Sequence, residues 1–302
     1  MSSNTPSSKP PYRGRFAPSP TGPLHFGSLV AAVGSYLQAR SLNGAWLVRM
    51  EDLDTPRNVR GAAEGILQDL ERFGLHWDEA VVYQRNRLDI YADALDRLRR
   101  KALVYDCGCS RRDLEDGIYP GTCRHGLPAG REVRSVRVRT NELPVSLKDQ
   151  VQGKFAQNLE TAFGDFVVLR ADGIFAYHLA VTVDDALQSV SEIVRGADLL
   201  DSTPRQIHLQ GCLGLPTPAY AHLPVAVNDE GQKLSKQTFA RPVGDRPPAA
   251  VLFEVLGFLG QRPLPDLRAA PVKEVIAWGV ANWRLDAVPK RDKIRYENGI
   301  RK

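Results

Sequence analysis

The chain has 302 residues, of which 43% are hydrophobic and 25% charged, and it carries a formal net charge of +5. This is the balance of a globular protein with room for two domains, or for one nucleotide-binding domain with insertions. It excludes a membrane-spanning helix, since no run of about 18 apolar residues occurs, and it excludes a disulfide-built scaffold, since only four cysteines are present.

Taken in order, Met1–Pro11 is rich in Ser and Pro with no apolar core, and reads as a disordered tail rather than a signal peptide. A cytoplasmic location is the expectation. A short strand follows at Gly14–Ala17, broken by Pro18-Ser19-Pro20-Thr21-Gly22-Pro23, which no helix tolerates. From Gly27 to Ser41, Leu29, Val30, Val33 and Leu37 recur at helical spacing. Trp46, Leu47, Val48 and Met50 predict a buried parallel strand. A helix over Arg60–Phe73, a strand at Val81–Tyr83 and a helix through Leu88, Tyr91, Leu95 and Leu98 complete a β-α-β-α-β-α pattern. That alternation predicts an α/β fold with a parallel sheet wrapped by helices.

The alternation stops at residue 107. A cysteine cluster, a basic stretch and short strands at 135–139 and 166–169 follow, and the α/β signals return from Tyr177 to Leu213. Then come an apolar strand (Leu223–Val227), a polar loop, helices over Pro248–Leu259 and Val272–Trp283, and a polar, basic tail from Arg284. The expected division is a tail (1–12), a Rossmann-type catalytic domain in two pieces (13–106 and 176–215), an insertion (107–175) and a mostly helical region (216–302). The basic excess suits a polyanion such as RNA. It is densest between Arg111 and Arg139, where Arg112, Arg124, Arg131, Arg134 and Arg137 have few acidic neighbours.

Two motifs carry chemistry. Arg15 to Ser28 joins the first strand to the first helix, the place where a doubly wound sheet binds nucleotides. His25 stands just before that helix, where backbone N–H groups favour phosphate, and Gly27 leaves room for a purine against the backbone. The second motif is Lys233-Leu234-Ser235-Lys236-Gln237 in the polar loop. Cys107, Cys109 and Cys123 supply three thiolates for a tetrahedral metal. Tyr119 and His125 are both placed to be the fourth ligand, and general zinc chemistry prefers the imidazole.

Together the two motifs resemble the HIGH and KMSKS sequences of class I aminoacyl-tRNA synthetases, in matching order and separation. Phe26, Ser28, Leu234 and Gln237 depart from the patterns, whereas His25, Gly27 and Lys236 keep them. Within the class, Arg15–Arg57 and Tyr177–Gln210 resemble the glutamyl enzymes, and most of all the short glutamyl-Q branch without an anticodon-binding domain. The resemblance implies that His25, Gly27, Lys233 and Lys236 handle ATP, accompanied by Mg2+. It implies that Arg15, Phe16, Ala17, Pro18, Ser19, Glu51, Tyr177 and Arg195 line a glutamate pocket, with Glu51 on the α-amine and the arginines on carboxylate. It implies a structural Zn2+ on Cys107, Cys109, Tyr119 and Cys123, and a C-terminal region that contacts the tRNA stem.

The implied reaction is activation of L-glutamate by ATP and its transfer to queuosine in tRNA(Asp), by a monomer. A truncated enzyme that charges tRNA(Glu), and a non-catalytic zinc-dependent RNA-binding regulator, are the alternatives at this point.

Overall fold

The structure is a computed structural model, and it describes residues 11–114, 116–234 and 242–296. Strand and helix alternate through β1 (Arg13–Phe16), α1 (Phe26–Ser41), β2 (Ala45–Met50), α2 (Ala62–Arg72), β3 (Val82–Tyr83) and α3 (Leu88–Arg100). β1 pairs parallel with β2, Arg13 opposite Ala45, and β2 pairs parallel with β3. Parallel neighbours need a crossover, which α1 and α2 provide. α2 and α3 bury one face each, whereas α1 is buried on nearly all sides. It packs so tightly that a Cβ on Gly34 would lie 2.4 Å from Leu223 Cδ1.

The insertion departs from this pattern. β4 (Val104–Cys107) pairs antiparallel with β5 (Ser135–Val138), and β6 (Pro144–Asp149) with β7 (Gly153–Asn158) forms a hairpin. After α4 (Leu159–Ala162), β8 (Phe166–Leu169) adds to β5. Much of the basic stretch is used for internal pairing, so the continuous cationic face suggested by sequence is broken. Arg137 is buried and donates to Asp165 O, Arg124 pairs with Glu160 and Asp165, and Arg131 pairs with Asp113. Arg111, Arg112 and Arg134 stay exposed.

α5 (Tyr177–Leu187), β9 (Glu192–Gly196), α6 (Thr203–Leu213) and β10 (Ala219–Leu223) restore the parallel arrangement, β10 lying alongside β9. Ser191 N–H donates to Arg13 O at 2.9 Å and sets the start of β9 beside β1. β11 (Val225–Val227), α7 (Pro248–Phe258), α8 (Val272–Asn282) and β12 (Lys293–Arg295) follow.

Three sequence expectations shift. β10 lies beyond residue 215, where the sheet domain was expected to end, yet it pairs with β9. The polar stretch after Arg284 contains β12, which pairs parallel with β11, and Tyr296 stacks on Phe26 at a centroid distance of 3.6 Å. Its alternation is too short and too polar to register as a strand in sequence. The tail at 1–12 lies outside the described residues as far as residue 10, but Tyr12 packs on the main core and accepts a hydrogen bond from Ala45 N.

Two cores result. One joins β1, β2, α1, α2 and α7, and the other packs α3, α5 and α6 against β5 and β8 of the insertion. The insertion is therefore fused to the catalytic α/β layers by a shared interior. Among the described residues no helix is long and apolar enough to cross a membrane.

Candidate active site

A cavity of about 600 Å³ opens where β1, β2 and β9 end and α1 begins. This is the position at which open parallel sheets bind their ligands, since loops leaving the carboxyl ends diverge there. Its lining includes Arg15, Phe16, Ala17, Pro18, Ser19, His25, Gly27, Glu51, Tyr177, Arg195 and Lys233. The structure thus brings together all the ATP and glutamate residues expected from sequence except Lys236. Lys236, with Ser235 and Gln237, lies outside the described residues.

His25 is the N-cap of α1. Its Nδ1 accepts from Ser28 N at 3.3 Å, and Ser28 Oγ accepts from His25 N at 2.9 Å, a reciprocal box that satisfies two donors at the helix end. An Nδ1 that accepts leaves the ring proton on Nε2, so the imidazole acts as a donor through that atom. Ser28 therefore has a local reason to replace the usual residue. Phe26 has one too: it is buried between Tyr296 and Phe258. A Cβ on Gly27 would come within 3.3 Å of the His25 ring and 3.4 Å of Leu234 O. Both described ends of the lysine loop reach this turn, since Pro242 bridges His25 and Val243 N–H donates to Leu24 O. Lys233 Nζ lies 2.5 Å from Asp198 Oδ2 at the cavity wall.

Beneath the cavity floor is a charge network that sequence reading passed over. Arg49, inside the apolar run of β2, is fully buried, with Nη1 2.8 Å from Asp185 Oδ1 and Nη2 3.3 Å from Glu51 Oε1. Asp185 also holds Arg15, at 3.1 Å and 3.3 Å, in a two-point pair. Asp184 receives Arg87 at 2.7 Å, Gln84 at 2.9 Å and the Tyr91 hydroxyl at 2.7 Å.

Burial would push the Asp185 carboxyl up, but Arg15 and Arg49 outweigh it and hold it below the usual range. For Glu51 burial wins over Arg49 and Arg15, and its pKa is raised. Burial, followed by the Glu51 charge, also raises Tyr177, which keeps its phenol protonated. The sequence held one unused signal: an arginine in an apolar strand and an Asp-Asp pair in an apolar helix each demand a buried partner.

Arg195 is anchored on the far wall. Its Nε donates to His222 Nε2 at 3.1 Å, and its Nη2 donates to Thr203 Oγ1 at 2.8 Å and to Leu199 O at 3.4 Å. Its Nη1 lies 3.5 Å from the Tyr177 hydroxyl. His222 Nδ1 in turn lies 2.6 Å from Asp149 Oδ2. His222, Thr203 and Asp149 carried no motif in the sequence.

The three clustered cysteines form no disulfide, are buried, and bring their sulfurs within 4.8 Å of one another. The Tyr119 hydroxyl lies 3.5 Å from Cys107 Sγ and accepts from Cys123 N at 2.8 Å, whereas His125 is exposed and outside the group. Gly164 seats Tyr119: it has φ +66°, and a Cβ there would lie 2.2 Å from Tyr119 O. Arg131 Nη1 and Arg137 Nε donate to Cys109 and Cys107 sulfur at 3.1 Å and 3.3 Å. Burial opposes ionisation of Cys107, but hydrogen bonds from Tyr119, the Cys109 N–H and Arg137 lower its pKa to about 7. Three converging thiols, one ready to ionise, form a donor set that fits a soft or borderline divalent metal.

The sequence matches the family of class I tRNA synthetases (E and Q), catalytic domain, over residues 12–118 and 124–246. With its parallel sheet and the cleft at the strand ends, the chain is a class I tRNA-synthetase-like α/β enzyme, a ligase. The glutamate tRNA ligase of Elizabethkingia meningosepticum, solved in complex with its amino acid, superposes with a TM-score of 0.80 at 26% identity, over 95% of this chain and 67% of that one. Among curated relatives, the glutamyl-Q tRNA(Asp) synthetase of Aromatoleum aromaticum is 57% identical over 93% of this chain and 92% of its own. That of Dechloromonas aromatica is 56% identical over 94% and 98%. The chain belongs to the glutamyl-Q tRNA(Asp) synthetase family.

Proposed function

We propose that this enzyme joins L-glutamate to ATP to form glutamyl-adenylate and passes the glutamyl group to queuosine in tRNA(Asp). A glutamate carboxylate oxygen attacks the α-phosphorus of ATP; the new O–P bond forms as the bond to the β-phosphate oxygen breaks, and pyrophosphate leaves with the electron pair. A hydroxyl of the queuosine ring then attacks the activated carbonyl, AMP leaves, and the hydroxyl proton passes to solvent or phosphate. Charge builds on phosphoryl oxygens in the first step, so the protein's part is positioning and electrostatic stabilisation.

The residue roles follow from charge and reach. His25 donates its Nε2–H to the phosphates at the start of α1, where the helix adds its own partial positive charge. Lys233 and Lys236 add cations from the loop that meets this turn. Arg15 and Arg195 receive carboxylate, Glu51 receives the ammonium, and the protonated Tyr177 hydroxyl supplies an orienting hydrogen bond. The Phe16–Ser19 backbone completes the wall. Mg2+ accompanies ATP as part of the substrate. Cys107, Cys109, Cys123 and Tyr119 would hold a Zn2+ whose role is structural, stapling the start of the insertion.

The observation that carries the reading is the convergence, in one cavity, of a phosphate-type helix start with two arginines, a partly buried glutamate and a tyrosine. Those groups complement a ligand with two carboxylates and one ammonium. The deciding experiment incubates the enzyme with ATP, labelled glutamate and tRNA(Asp), with and without queuosine. Label should appear only with queuosine, resist removal of the 3′ end, and be lost with the anticodon nucleotide. Label on the 3′ ribose would support charging of tRNA instead, and absence of glutamate-dependent ATP–pyrophosphate exchange would refute activation.

A further inference from the structure

We propose that Asp149 and His222 are a positioning pair that sets the proton arrangement around Arg195, and so governs affinity for the amino-acid substrate. The inference rests on the assignment of Arg195 to the glutamate carboxylate.

Asp149 is the last residue of β6, in the insertion, and His222 lies within β10; both side chains are fully buried. Asp149 Oδ1 accepts three backbone N–H bonds, from Val151 at 3.0 Å, Gln152 at 2.8 Å and His222 at 3.1 Å. The carboxylate is thereby immobilised, with Oδ2 facing His222 Nδ1 at 2.6 Å. A carboxylate accepts only, so the imidazole proton must reside on Nδ1. Nε2 then offers a lone pair, 3.1 Å from Arg195 Nε and 3.2 Å from Thr203 Oγ1. Burial and the nearby Arg195 and Arg15 charges keep His222 below its ordinary pKa against the pull of Asp149, so the neutral ring that this arrangement needs is the favoured one.

The consequence falls on Arg195. A guanidinium carries five N–H donors and no acceptor. With Nε on His222 and Nη2 on Thr203 and Leu199, the group is held from behind, and Nη1 beside the Tyr177 hydroxyl is left for the ligand. Were the proton on Nε2, two N–H groups would confront each other and the guanidinium would lose its anchor. The turn between β6 and β7 is itself docked on β10, with Gln150 N–H on Tyr220 O at 2.9 Å and Gln152 Nε2 on His222 O at 2.8 Å. A hairpin of the insertion thus reaches the substrate pocket through Asp149 and His222.

The test is Asp149→Asn. The three backbone donors hold the amide oxygen in the Oδ1 position, which turns the NH2 toward His222 Nδ1 and forces the other tautomer, the effect known for an Asp–His pair in serine proteases. Nitrogen-15 NMR of labelled histidine should report His222 protonated on Nδ1 in the wild type and on Nε2 in D149N. In ATP–pyrophosphate exchange with tRNA(Asp) present, the glutamate KM should rise about tenfold or more, the typical effect of losing a hydrogen bond to a charged group. The ATP KM and kcat should stay within about threefold, because the phosphate site is untouched. His222→Gln, whose amide oxygen can accept from Arg195 Nε, should lie closer to wild type than His222→Phe.

An unchanged tautomer in D149N would overturn the pair, as would a reversed tautomer with an unaltered glutamate KM. Equal losses in H222Q and H222F, spread over kcat and the ATP KM, would mark a purely structural role and also overturn it. A wild type with no glutamate-dependent exchange would instead sink the glutamate assignment, which the NMR result does not depend on.

Discussion

Arg49 Nη1 and Asp185 Oδ1 meet at 2.8 Å with side-chain exposures of 0% and 4%. This pair lies under the cavity and ties β2 to α5, and through Asp185 it also orients Arg15. Removing Arg49 leaves three neighbouring acids, Glu51, Asp184 and Asp185, short of one buried cation, with Asp185 keeping only Arg15.

Arg49→Met should therefore lower the unfolding free energy by about 3–5 kcal/mol, read as a lower urea midpoint. Arg99→Ala breaks a half-exposed pair with Asp96 and should cost well under about 1 kcal/mol. Asp185 is held below its ordinary pKa, so its contribution is present above the unfolded-state pKa and is lost as pH falls through the folded value. Equal midpoints for the two variants would show that the buried network carries no special weight.

Lys236→Ala should slow adenylate formation by roughly 10²–10³-fold, the usual loss for one donor aimed at transition-state charge. His25→Ala should slow it as well, and should also lower stability by about 1 kcal/mol through loss of the α1 cap. Pyrophosphate exchange measures the first effect and thermal unfolding the second. A Lys236→Ala rate within a few-fold of wild type would remove that lysine from the mechanism.

Glu51 predicts a pH dependence. Its carboxyl must be ionised to hold an ammonium, and burial raises its pKa. The glutamate KM should thus climb on acidification at a pH above about 4.3, where an ordinary glutamate titrates. Glu51→Gln should raise the KM at neutral pH and flatten this limb. For stability the sign is opposite: a raised carboxyl favours the folded state as pH falls through its folded value and is lost as pH rises. A limb of the same shape in Glu51→Gln would exclude Glu51 as its source.

The metal set gives a contrast between two neighbours. Purified enzyme should contain about one zinc per chain, as one closed set of thiolates holds one ion. Strong chelators should remove it with a fall in melting temperature. Tyr119→Phe should weaken retention by at least about tenfold, and His125→Ala should leave it unchanged, since the imidazole is outside the sulfur group. Zinc loss in His125→Ala but not in Tyr119→Phe would reverse the assignment.

The active-site loop was legible because its chemistry is local. His25, Ser28 and the start of α1 cap one another within four residues, and proline, glycine and helical spacing announce such a turn without any distant partner. The parallel core was legible from the alternation of apolar runs and amphipathic stretches. Arg49 escaped because an apolar run reads as buried whatever single charge it contains, and β12 escaped because one isoleucine between two charged residues is too short a run to show a period.

Sequence alone determined the strand–helix alternation as far as α3, the phosphate-type turn and the cysteine cluster, all built from near neighbours. Tertiary structure alone decided which charges meet: Arg49 with Asp185 across 136 residues, and His222 with Asp149 across 73. The reason is physical, since periodicity reports that a face is buried, while the partner of a buried charge is selected by how separate elements pack against one another.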